Sequence, residues 1–324
     1  MRAVVFTGAG GNEVVQVVDR PDPEPGGEEV VVAAAFAGLN PADLIQRAGS
    51  YPAPPGSPRD VPGLEVAGVV EACGPRATAW RPGDRVFGIV GGGGLADRVL
   101  VNERCLAGVP ERLDLREAAG VPEAFVTAHD ALRSQARLSP GETLVVHGAA
   151  GGVGSAAVQV GRLSGARVIG VVRSEPAAEA VRGLGGEPVG DDDFPGNVLE
   201  LTGERGADVV MELVGAPHFP ANLEALAPRG RIVVVGVGAG QEATIPLQRL
   251  MQKRAIVRGT VLRPRPLEEK AAAVRAFERE VVPALADGRV RPLVDSVYPA
   301  DDVAAAFDRL AGHGKVGKVL IQFG

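Results

Sequence analysis

The residues most able to do chemistry lie at 144–155, which read LVVHGAAGGVGS. A short apolar run enters a glycine-rich turn, and a helix starts there and continues through Gly161. Small residues let a backbone approach a pyrophosphate, and the N–H groups at a helix start bind its anionic oxygens. Ala150, Gly151, Gly152 and Val153 are therefore candidate cofactor contacts. The pattern departs from G-x-G-x-x-G in having Ala149 at the first glycine. Its context supplies what the motif requires: a strand before, a helix after, and a second apolar run at 166–172 that completes a βαβ unit.

The tip of that second strand selects the cofactor. Enzymes that use NAD place an acid there to grip the ribose 2′-hydroxyl. Here Val172 is followed by Arg173 and Ser174, which suit a 2′-phosphate, so NADPH is expected. Glu175 is adjacent and opposes a phosphate. Only four of the 34 basic residues are lysine, so arginine is expected wherever a cation is needed.

A second group is Asn40, Asp43, Gln46 and Tyr51. Read locally, Asn40 before Pro41 starts a helix, Asp43 suits the positive end of its dipole, and Tyr51 opens the Pro-rich loop 51–58. The four histidines are scattered, and Cys73 and Cys105 are far apart. Neither metal-ligand spacing nor a disulfide framework is present, so no metal is expected.

The elements that must position these residues fall into two blocks. A chain of 324 residues with 45% hydrophobic content suits two domains, and with 4% aromatics their cores are built of Val, Leu and Ala. The first ~120 residues alternate short strands and turns, as in a barrel-like β unit. From about Glu117 helices and strands alternate, which means a parallel sheet covered on both faces. Strands are expected at 144–147, 167–172, 207–213 and 231–236, helices at about 176–184 and 218–227, and a long helix at 266–287. The tail from Val290 reads as short strands that complete the first domain. The fold class is thus α/β, with a β-barrel unit at 1–122 completed by 264–324 and a doubly wound nucleotide-binding unit at 123–263. Ligands of such sheets bind at the carboxyl ends of the strands, which points to Val214, Gly215, Gly236 and Val237 as cofactor contacts, and to the segment containing Leu262 and Arg263 beside the nicotinamide.

Net charge is −6, which leaves no electrostatic footprint for nucleic acid. No apolar run reaches membrane-span length, and the start of the chain reads as a strand, so a cytoplasmic protein is expected.

Five segments in order, GLNPADLIQRAGSY (38–51), PGLEVAG (62–68), WRPGDRVF (80–87), VPEAFVTA (121–128) and AAGGVG (149–154), resemble the medium-chain dehydrogenases/reductases. The likeness covers nearly the whole chain. It is to the zinc-free quinone oxidoreductase branch related to zeta-crystallin, and most to its p53-inducible subgroup. The resemblance implies a GroES-like barrel plus a Rossmann domain with the site in the cleft between them, NADPH as cofactor, a quinone as substrate, and a homodimer. It implies that Asn40, Asp43 and Tyr51 line the reaction site, that Thr127 contacts the nicotinamide end, and that Lys318 contacts the cofactor from the returning tail. Zinc-dependent relatives carry Gly-His-Glu where this chain has Gly63, Leu64 and Glu65, and a cysteine near Asn40, so a zinc-free reaction is implied. The segment 256–262 reads as a late edge strand that can pair with its copy. Two other readings are reduction of an activated C=C bond in an enone or enoyl thioester, and a non-catalytic NADPH-binding, crystallin-like role.

Overall fold

A computed structural model describes residues 1–324, which form two compact units, Met1–Val126 with Leu262–Gly324 and Thr127–Val261.

The first unit is β-rich. Its main sheet runs in the order Val294–Pro299, Lys318–Gln322, Glu29–Gly38, Glu65–Cys73, Arg85–Ile89, Leu106–Gly108, and Arg98–Asn102 also pairs with Glu29–Gly38. The C-terminal strand Lys318–Gln322 lies antiparallel to Glu29–Gly38, with Leu320 opposite Gly38. This pairing carries residue 318 to the segment around residue 40. Just after Glu29–Gly38 the short helix Pro41–Arg47 starts where the Asn-Pro pair requires, and Pro at its first position has no N–H to leave unsatisfied.

The tail is not all strand. Val303–Ala311 is a helix whose buried residues Val303, Ala306, Phe307 and Leu310 follow an i, i+3, i+4, i+7 spacing. The expected long helix is also two helices, Leu267–Glu280 and Val282–Ala286. Pro283 lacks an N–H and its ring would clash with the carbonyl four residues earlier, so the ladder breaks at Val281.

The second unit is a six-stranded sheet, parallel throughout. Its order is Glu187–Gly190, Arg167–Val172, Thr143–Val146, Ala207–Glu212, Leu226–Val234, Ile256–Gly259. In chain order this is 3-2-1-4-5-6, and the winding reverses between Thr143–Val146 and Ala207–Glu212, where open α/β sheets bind their ligands. One face of the core is Val145, Ile169, Val210, Phe194, Phe219 and Leu223. The inner strands Thr143–Val146 and Ala207–Glu212 are fully buried, whereas the edge strand Glu187–Gly190 is only partly buried and the other edge strand, Ile256–Gly259, is exposed along its length. No helix is long and apolar enough to cross a membrane.

Candidate active site

In the second unit, the first strand ends at Val146 and the chain turns through Gly148, whose φ of +57° suits glycine. Gly151 caps the twelve-residue helix Gly152–Leu163. A Cβ on Gly154 would lie 2.1 Å from the Gly148 carbonyl oxygen, so only glycine lets the helix start press against the turn. Ala150, Gly151, Gly152 and Val153 all fall on this cradle. The first N–H groups of a helix lack intrahelical acceptors, so these residues fit a pyrophosphate.

Arg173 and Ser174 are exposed just past the strand Arg167–Val172, and Ser174 is the N-cap of the helix Glu175–Gly183. Glu175 turns along that helix to Arg182, Nη1 to Oε1 at 2.6 Å, so its charge has a partner away from the tip.

Glu212 ends the fourth strand and organises the loop beyond it. Its Oε1 accepts the N–H groups of Val214 (2.6 Å) and Gly215 (2.9 Å), and its Oε2 accepts from Asn222 Nδ2 (2.6 Å). The amides of Val214 and Gly215 are therefore spent on Glu212. Gly236 and Val237 follow the fifth strand, with Val237 exposed. Burial opposes the Glu212 charge, but His218, His147, Asn222 and the Gly215 N–H hold its carboxyl down to about 2. His147 and His218 stack at 4.4 Å, and His218 Nε2 lies 3.0 Å from Asp191 Oδ1. Ligand atoms of His147, Glu212 and His218 lie within 4.8 Å of one another. They still do not fit a metal ion. Stacked imidazoles aim their lone pairs along nearly parallel planes rather than at one centre, and Asn222 already bonds both His147 Nε2 (2.6 Å) and Glu212 Oε2. The cluster is a tie that holds the loop at the reversal point.

In the first unit, Asn40, Asp43 and Lys318 meet around Glu65. Lys318 Nζ donates to Glu65 Oε1 (2.5 Å), Asn40 Oδ1 (2.6 Å) and the Leu39 carbonyl (2.8 Å). These are all three hydrogens of an ammonium. Asn40 Nδ2 donates to Glu65 Oε1 (2.9 Å), and Glu65 Oε2 accepts the Glu123 N–H (2.8 Å). Asp43, fully buried, accepts the N–H groups of Asn40 (2.8 Å) and Gly63 (3.1 Å). Burial raises its carboxyl to about 6 against the pull of those bonds and of Lys318 and Arg263. Asn40 and Asp43 thus brace the start of the helix Pro41–Arg47 against Glu65 and Gly63, and the bonds of Lys318 are directed inward.

Arg263 is buried and ties three segments, Nε to the Gly91 carbonyl (2.8 Å), Nη2 to Gln46 Oε1 (2.6 Å) and Nη1 to the Tyr51 carbonyl (3.3 Å). Its guanidinium also lies 4.9 Å from the Tyr51 ring centroid. Leu262 beside it is buried. Tyr51 is half-buried; burial raises its phenol above the ordinary range, with Arg263 opposing, so it keeps its proton. Thr127, half-buried, sits near the end of the helix Pro122–His129.

Sequence reasoning assigned no role to Glu65 or Glu123. Their signal was a carboxylate between apolar neighbours, Leu64 and Val66 in one case, Pro122 and Ala124 in the other.

Residues 26–111 match the alcohol dehydrogenase GroES-like domain, and residues 152–279 match the zinc-binding dehydrogenase domain. The human quinone oxidoreductase is 31% identical over 329 residues, covering 99% of this chain and 97% of that protein. The chain belongs to the quinone oxidoreductase family. A quinone oxidoreductase from Thermus thermophilus, solved alone and with NADPH, superposes with a TM-score of 0.86 at 36% identity over the full length of both chains. A solved NAD-dependent alcohol dehydrogenase superposes at 0.89 with 32% identity, also over both full chains. This family member is an NAD(P)H-dependent oxidoreductase, with a GroES-like unit and a Rossmann-type sheet.

Proposed function

We propose that the protein is an NADPH-dependent quinone reductase that works without a metal. The observation that carries this reading is the Lys318–Glu65–Asn40 contact. Zinc-dependent relatives keep their ligands at the positions of Leu64 and near Asn40. Here Leu64 offers no donor atom, and the Glu65 carboxylate is already held by an ammonium. A dication beside that ammonium would be repelled, so the donor set does not fit zinc. Without a Lewis acid, the substrate must itself be electrophilic, as a quinone is.

Bound NADPH supplies a hydride from its nicotinamide. The glycine turn would hold the pyrophosphate and Arg173 and Ser174 would take the 2′-phosphate, while the Glu212 tie keeps the 213–217 loop in place. Tyr51, protonated and lying over Arg263, stabilises the developing oxyanion; positioning and modest charge stabilisation suffice for so reactive an acceptor. Turnover of a para-quinone and of an α,β-unsaturated ketone should be compared under the same conditions. Faster quinone turnover supports the reading. Preference for the enone moves the assignment to C=C reduction, and no turnover of either moves it to a binding role.

The same reading includes a homodimer. The exposed edge strand carries Ile256 and Val257, and Leu247, Met251 and Val261 are exposed nearby in sequence. An apolar edge with a free ladder suits pairing with a second copy.

A further inference from the structure

Three strand ends of the second unit meet at one imidazole. His147 follows Thr143–Val146 and precedes the turn at Gly148, Asp191 follows Glu187–Gly190, and Glu212 ends Ala207–Glu212. His218, just past the 213–217 loop, lies between them. Its Nε2 is 3.0 Å from Asp191 Oδ1, its Nδ1 is 3.8 Å from Glu212 Oε2, and its ring stacks on His147 at 4.4 Å.

The contacts decide which ring carries a charge. Asn222 Nδ2 donates to Glu212 Oε2, so its carbonyl oxygen faces His147 Nε2, which must donate. His147 Nδ1 is buried without a hydrogen-bond partner, and a second proton there would be buried unpaired. His147 is therefore neutral. His218 Nδ1 makes no hydrogen bond either, but one carboxylate lies 3.8 Å from it and another lies 3.0 Å from Nε2. A neutral ring donating to Asp191 would leave a bare Nδ1 lone pair beside an anion. Two carboxylates favour the charged ring. The direction of titration agrees: Glu212, and with it Asp191, raises His218 against its burial, whereas burial lowers His147.

The neighbouring elements direct their charges elsewhere. The helix Phe194–Leu201 presents the Phe194 ring at 5.9 Å, and its Glu200 is exposed. Asp192 is exposed, and Asp193 caps Gly196. On the helix Leu247–Lys253, Arg249 pairs with Glu224, and Lys253 bonds to the carbonyls of Glu224 and Leu226. On Leu226–Val234, Arg231 bonds to Glu142 and Arg229 is exposed.

Glu212 passes this restraint onward. Its Oε1 holds the N–H groups of Val214 and Gly215. That loop is stitched to the next by the Ala216 N–H on the Gly240 carbonyl (3.0 Å) and the Ala239 N–H on the Val214 carbonyl (2.9 Å). The loops after the fourth and fifth strands are thus one body, at the strand ends where such sheets bind their ligands.

We propose that the protonated ring of His218 is a positioning group for the cofactor: it bridges Asp191 and Glu212, holds the joined loops in the form that binds a nicotinamide dinucleotide, and releases them when its proton leaves. The inference rests on the cofactor half of the reading above and not on the quinone. By linkage, a cofactor that prefers the protonated form raises the proton affinity of His218 by the same factor, here at least about fivefold.

The test is calorimetric titration of the whole protein with NADPH and with NADH from about pH 5.5 to 9, beside NMR of the histidine rings with and without cofactor. The 2′-phosphate of NADPH itself titrates at about 6, so the readout is the ratio of Kd in His218→Gln to Kd in the wild type, which cancels that effect. The ratio should be at least about fivefold at low pH and fall to about one at high pH. The His218 ring signal, assigned by its loss in the variant, should titrate above 6.5, and cofactor should move its midpoint up by about 0.7 pH unit or more, the logarithm of that factor. Asp191→Asn, at a partly exposed position, should move the His218 midpoint and the Kd curve together toward lower pH, which a merely structural contact would not do. A ratio that does not change with pH, or a midpoint that cofactor leaves in place, overturns the inference and leaves the cofactor reading standing. Binding that follows His218 in a protein that reduces no quinone supports the inference and counts against the quinone reading alone.

Discussion

Lys318 Nζ and Glu65 Oε1 lie 2.5 Å apart, and both residues are buried. The contact joins the last strand of the chain to the strand that follows Leu64, at the point where relatives that use zinc place their ligands. Breaking such a pair from one side leaves an uncompensated charge, which costs about 3–5 kcal/mol. Lys318→Met should lower the unfolding free energy by that much in urea titrations. A loss under about 1 kcal/mol, the range of an exposed pair, would show that the pair is not the brace described.

Two raised carboxyls make stability depend on pH with an unusual sign. Glu123, up to about 8 from 4.5, keeps a proton in the folded state that the unfolded chain has already lost. Stability from this group is full below pH 4.5 and declines as pH rises to 8, by at most about 1.4 kcal/mol per pH unit. Asp43 acts likewise between 3.8 and about 6. Glu212, held down at about 2, has the opposite sign: its contribution is full above 4.5 and is lost on acidification. Urea unfolding at pH 6, 7 and 8 crosses the Glu123 range, in which His218, raised above 6.5 by Glu212, also titrates, so Glu123→Gln should flatten part of the decline seen in the wild type.

Much of the nucleotide side was legible because its signals are local. The turn at 148–154 declares itself through glycine spacing, and the helix that Ser174 caps through its place just after the second strand. The helix start at Asn40 and Asp43 was equally readable. What these residues do was not, because Asn40 meets Lys318 across 278 positions of sequence. No periodicity reports that contact, nor the meeting of Glu65 with Glu123 across 58. The helix Val303–Ala311 was missed for a different reason. It is nine residues long and lies among short strands, so its stripe of Val303, Ala306, Phe307 and Leu310 covers only about two turns of helical period.

Arg173 and Ser174 should govern cofactor choice. A charge-assisted bond to a 2′-phosphate is worth about 1.5–3 kcal/mol. Arg173→Ala should therefore raise KM for NADPH roughly ten- to a hundredfold and leave NADH nearly unchanged. Equal effects on both cofactors would remove the 2′-phosphate role.

A charge placed on the exposed edge strand should block pairing with a second copy. Val257→Asp is expected to convert a dimer to a monomer in light scattering while thermal stability of the monomer is little altered. A wild type that is already monomeric at micromolar concentration would end the dimer proposal.

The measurement closest to the central claim is loss of reduced-nicotinamide absorbance with purified protein and a small para-quinone, corrected for the spontaneous reaction, with NADPH and NADH in turn and with a strong chelator present or absent. The account predicts fast quinone-dependent oxidation of NADPH, slower oxidation of NADH, and no effect of the chelator. No quinone-dependent oxidation, or activity that the chelator removes and zinc restores, would contradict it.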